Sequence, residues 1–284
     1  MFATIRQARS ALSHLNPAEV RNRAARTVRV GLIAATEYRY SAMEEALVPA
    51  AAHNEDRALG MSAIFRGGDP NAPASVDLVL YDEGIPAPKE AYVLYAQDLS
   101  ATLHAILHDD DSLELPLARQ FPGLRSHIVD RIVQSIAREN ALFAFATALP
   151  DVIPNLVEIP WAFGEWATDT AFLTANQICM AFMISAACGQ ETGFAKQKLQ
   201  ILSIVGGAFG WRAIARELAG KIPLGGGLIA KAAIAYAGTF VVGKGLELLY
   251  HGQVSFSHEA KRSMYREALE RGREFGRSLV QPRP

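Results

Sequence analysis

An α/β domain followed by an all-α, Gly/Ala-rich helical bundle is the fold class this sequence predicts, and three observations predict it. Short runs of β-branched and aliphatic residues at 28–34 (VRVGLIA), 76–81 (VDLVLY) and 91–95 (AYVLY) are bounded by polar turn residues, as buried strands are. Helical spacing lies between the first two runs, which points to a small parallel sheet. Beyond residue 100 the spacing stays helical, and from Ala141 to Tyr250 the chain becomes long, apolar and poor in charge. Four segments follow: a basic N-terminal helix over 1–27, a small α/β domain over 28–134, an apolar helical domain over 135–250 and a charged helix over 251–284.

Taken in order, Asn16, Pro17 and Glu19 form a helix start, with Asn16 as N-cap, Pro17 at N1, where its missing N–H is harmless, and Glu19 at N3. The first strand over 28–34 leads to a polar loop at 36–40 and a helix over 41–47. A Gly/Asp/Pro/Asn cluster at 67–73 is a turn before the second strand, which ends at Asp82, and the third strand ends near Asp98. Pro116 and the pair Pro122, Gly123 interrupt the following helices, helix resumes over 126–145, and Pro150, Pro154 and Pro160 divide the entry into the apolar block. The last helix, 257–279, has a narrow apolar seam of Met264, Ala268, Phe275 and Leu279.

A chain of 284 residues buries a sizeable core without staples. Cys179 and Cys188 have neither zinc nor redox spacing and are expected as small buried hydrophobes of a reduced compartment. A net charge of -1 argues against a general nucleic-acid binder. No signal peptide is visible, so the expected start is cytoplasmic.

The strand, loop and helix at 28–47 is the setting of a nucleotide-binding P-loop, in which glycines let backbone N–H groups cradle phosphate, Lys neutralises it and a hydroxyl holds magnesium. In the window 34–41 (AATEYRYS) only Ser41 survives; Ala34 and Arg39 replace the glycines and Tyr40 the Lys, while Glu37 adds negative charge. Asp82 ends the second strand as a Walker B acid would, with Gly84 one residue too close for a GTPase switch motif. Asp98 occupies a guanine-reading position without its Asn and Lys. The domain therefore reads either as a degenerate GTPase-like domain or as an unrelated small α/β unit. His104, His108 and Asp111 share helical spacing and are weak metal candidates, a solvated helix face being the plainer reading.

In the apolar block, residues 170–190 carry no charge and 222–243 only Lys231, both near the roughly 20 residues that cross a bilayer as helix. Lys231 deep in a span would cost about 2.5–3.5 kcal/mol, so the expectation is one span over 170–190 with 199–211 and 222–243 re-entrant or lying at the interface. A soluble, close-packed core is the competing reading, and Gly206 with Gly210 supplies small residues for either. A third reading is a lipid or small-molecule carrier whose cavity is lined by Asn176, Gln177 and Lys231.

The runs 168–177 (TDTAFLTANQ), 206–218 (GGAFGWRAIAREL), 222–225 (IPLG) and 231–239 (KAAIAYAGT), with Trp211 and Arg212 at the centre of the second, resemble the helical domain of unknown function of bacterial YcjF-like proteins. The resemblance covers about 135–250. It implies a bacterial, inner-membrane-associated helical module on the cytoplasmic side, often encoded beside or fused to GTPases, and it carries over no active-site residue. The resulting expectation is a non-catalytic scaffold or regulatory module, without cofactor or nucleic acid, whose partners are membrane lipid, a GTPase or a second copy of itself. If the apolar block is a soluble core, the location is cytoplasmic. The alternatives are an atypical nucleotide hydrolase using Ser41 and Asp82, and the carrier.

Overall fold

The computed structural model describes residues 16–89, 91–148, 169–204, 227–250 and 258–280. Gly206, Gly210, Trp211 and Arg212, and the prolines at 150, 154 and 160, lie outside the described residues. The chain is mostly helical with a small four-stranded parallel sheet, an α/β plus all-α layout. It divides into two compact units: Arg21–Asp130 with Ala186–Gln190, and Met1–Val20 with Arg131–Ser185 and Glu191–Pro284.

Helix α1 spans Pro17–Ala24, and Asn16 caps it, its Oδ1 accepting the Ala18 N–H at 3.1 Å. The sheet consists of β1 (Val30–Ile33), β2 (Ile64–Arg66), β3 (Leu78–Asp82) and β4 (Tyr92–Leu94), in the order β2-β1-β3-β4 with every pair parallel. Val30 stands opposite both Ile64 and Leu78, so β1 is central. Its residues alternate buried and half-buried, as do those of β3, and Val30, Leu32, Leu78, Leu80 and Leu94 reach the core. Between β1 and β2 lie α2 (Glu37–Leu47) and α3 (Asn54–Met61).

The polar loop expected at 36–40 is a correction. Helix α2 begins at Glu37, because Thr36 is its N-cap: extended at φ −143°, it accepts the Arg39 N–H on Oγ1 at 3.3 Å. Only residues 34–36 separate strand from helix. Strand β2 and helix α3 were not expected at all.

After β4 come α4 (Leu99–Asp109), a 3-10 turn over Asp111–Leu113, α5 (Glu114–Gln120) and α6 (Pro122–Ala146). Asp98 is the N-cap of α4, its Oδ1 accepting the Ser100 N–H at 3.2 Å. Pro116 sits in the first turn of α5 and Pro122 opens α6, so both prolines occupy positions where a missing N–H breaks no helical bond. Gly123 is there for space: a Cβ on it would stand 1.8 Å from the Ala46 carbonyl oxygen. Leu103, Ile106, Leu115, Leu117 and Phe121 complete the core of this unit.

In the helical unit, α7 (Asp169–Ala187), α8 (Gly227–Tyr250) and α9 (His258–Val280) join the later part of α6. Gly243 of α8 lies so close to α6 and α7 that a Cβ would meet Val133 Cγ2 at 2.6 Å and Met180 Sδ at 3.0 Å. On α9 the expected seam is real at Ala268, which is fully buried, whereas Met264, Phe275 and Leu279 are half-buried; Gly272 and Gly276 complete the inner line.

Candidate functional site

Strand order reverses between β1 and β3, and in open parallel sheets the crevice beyond the carboxyl ends of such strands is where ligands bind. Here β1 delivers the α2 N-terminus, β2 delivers Arg66 and β3 delivers Asp82. Arg66 forms a two-pronged pair with Glu44 of α2, Nε to Oε1 at 2.7 Å and Nη2 to Oε2 at 2.8 Å, and its Nη1 also bonds Glu37. The guanidinium lies 5.3 Å from the Tyr40 ring centroid. Hydrogen bonds from Glu44 first, and the charges of Glu44 and Glu37 after them, hold Arg66 well above the ordinary arginine range, so it is a permanent cation.

Asp82 is nearly buried at the end of β3. Its Oδ1 lies 3.6 Å from Arg39 Nη1, and its Oδ2 accepts the Gly84 N–H at 3.3 Å. Arg39 is also 3.6 Å from Glu83. The crevice thus holds the carboxylates of Glu37, Glu44, Asp82 and Glu83 against the guanidiniums of Arg39 and Arg66, an acid excess. A phosphate group placed here would meet like charge and no Lys.

Ser41 is exposed in the second turn of α2, past the helix start where a P-loop hydroxyl would sit, and the partners of Asp82 are Arg39 and Gly84. Of the two nucleotide candidates, one is committed to an ion pair and the other faces solvent. Arg66, which organises the crevice, was missed because a three-residue, half-buried strand leaves no hydrophobic run to notice.

His104 and His108 are exposed on α4 with ring centroids 6.4 Å apart, and Asp111 is exposed in the next turn. His108 Nδ1 lies 3.2 Å from Asp109, whose carboxyl is held below the usual range by that contact and by the Tyr92 hydroxyl. Among the described residues no cluster of His, Cys, Asp or Glu fits a metal ion.

In the helical unit, Asn176 and Gln177 are buried in a polar network with Asn140 and Thr239, neither of which was singled out in the sequence. Asn140 Nδ2 donates to Thr239 Oγ1 at 2.8 Å, Asn176 Nδ2 donates to Asn140 Oδ1 at 2.9 Å, and Gln177 Nε2 donates to Thr239 Oγ1 at 3.3 Å. These groups tie α6, α7 and α8 to one another, as buried polar groups must be tied. Lys231, which the carrier reading places with Asn176 and Gln177, is exposed on α8. Both cysteines are buried, and neither is in a disulfide. Beside Asn140, burial pushes the Glu139 carboxyl above its ordinary value.

Among the described residues, α8 is the one helix long and apolar enough to cross a membrane, by length and composition alone: it has 24 residues, and an 18-residue window of it has a mean hydropathy of 1.3. The segment expected to span, 170–190, instead supplies a shorter apolar helix, Phe172–Ala187, whose residues are almost all buried. No protein-family model, curated protein or solved structure matches the chain.

Proposed function

We propose that the chain is a non-catalytic scaffold or regulatory module of the YcjF-like kind, held at the cytoplasmic side of a bacterial inner membrane through its helical unit, with a GTPase as its candidate protein partner. Its α/β unit is a degenerate relative of the P-loop fold kept for its shape. The observation that carries the non-catalytic reading is the make-up of the switch point. A strand-to-helix turn of three residues leaves no loop to wrap a phosphate, and the ion pairs of Arg39 and Arg66 line the crevice with an acid excess.

The membrane part of the reading rests on α8, and α9 sets its form. Were α8 to cross the bilayer with α9 alongside, charged residues such as Glu270 and Arg271 would enter the hydrocarbon at about 2.5–3.5 kcal/mol each near the centre. Attachment at the interface avoids this cost.

Fractionation of bacteria expressing the full chain tests the proposal: it is expected in the membrane pellet after a high-salt wash, because apolar contact is not screened by salt. Recovery in the soluble fraction before any extraction removes the membrane from the reading. Calorimetry with magnesium and millimolar GTP or ATP is expected to show no saturable heat. A saturable isotherm lost in Ser41→Ala restores the hydrolase.

A further inference from the structure

We draw no further inference here: the strongest candidate, the outer edge of β2 (Ile64–Arg66), which no strand of the sheet pairs while the Thr102 hydroxyl bonds Val93 and Tyr95 at the opposite edge, carries nothing, because nothing in the structure shows what covers it.

Discussion

Gln120 and Val28 exchange two hydrogen bonds: the Val28 N–H donates to Gln120 Oε1 at 3.0 Å, and Gln120 Nε2 donates to the Val28 carbonyl oxygen at 2.6 Å. Both residues are buried, so the side-chain amide serves as a strand partner for backbone just ahead of β1 that no strand pairs. Gln120→Leu keeps the volume and removes both partners. Each orphaned group costs roughly 1–3 kcal/mol, so a loss of about 2–6 kcal/mol is expected in urea denaturation of the α/β unit. A loss below about 0.5 kcal/mol would mean that water takes over the amide's role.

Glycines divide into those that space requires and those it does not. In Gly123→Ala the new Cβ would lie 1.8 Å from the Ala46 carbonyl oxygen, which is backbone and cannot swing aside. The expected cost is at or above the upper end of the ordinary overpacking range of about 1–3 kcal/mol. Gly245→Ala, in the interior of α8 with open space at its Cβ, is expected to raise stability by roughly 0.5–1 kcal/mol. Thermal melts of the two variants should therefore move in opposite directions.

Thr239 accepts from both Asn140 and Gln177, and Thr239→Val replaces that oxygen with a methyl group of equal size. Two buried amide donors lose their acceptor, for an expected loss of about 1–3 kcal/mol in the helical unit. The double variant Asn140→Leu/Thr239→Val should cost less than the sum of the single changes, because the second removes a group the first already orphaned. Simple additivity in a double-mutant cycle would argue against a shared network.

Glu139 gives the helical unit a pH dependence of definite sign. Burial raises its carboxyl above the ordinary 4.5, so above that pH the native state keeps a proton that the unfolded chain releases. Its contribution is full below about 4.5 and is lost as pH rises through the raised value. The Cys179 thiol, pushed up to about 12 chiefly by burial, stays neutral over this range. Urea midpoints from pH 4 to 7 should fall more steeply in the native protein than in Glu139→Gln; parallel curves would remove the assignment.

Three of the four strands were legible because β1, β3 and β4 lie in runs of Val, Leu and Tyr bounded by turn residues. Ile64, Phe65 and Arg66 form too short and too evenly half-buried a segment to carry a period. The start of α2 was written in the sequence, as Thr36 followed by Glu37, but the polar aromatic stretch after it resembled a loop. What makes it helix is partly distant: Arg66 holds Glu37 and Glu44, and Asp82 holds Arg39. Asn176 and Gln177 stood out as polar residues in an apolar run, yet their purpose depends on Asn140 and Thr239, which lie 36 and 62 or more positions away and share no motif with them.

The Gln120 amide also sets a timetable. Strand β1 cannot be paired until residues 64 and 78 exist, and the backbone ahead of it waits 92 positions for Gln120. At about 5–20 residues per second, a ribosome leaves that backbone open for on the order of 5–20 s. A nascent chain halted before α5 therefore has all four strands but leaves the Val28 N–H and carbonyl without the Gln120 amide, the form of this protein most in need of a chaperone. Slowing translation upstream of residue 120 should lower the soluble yield, and slowing it downstream should not.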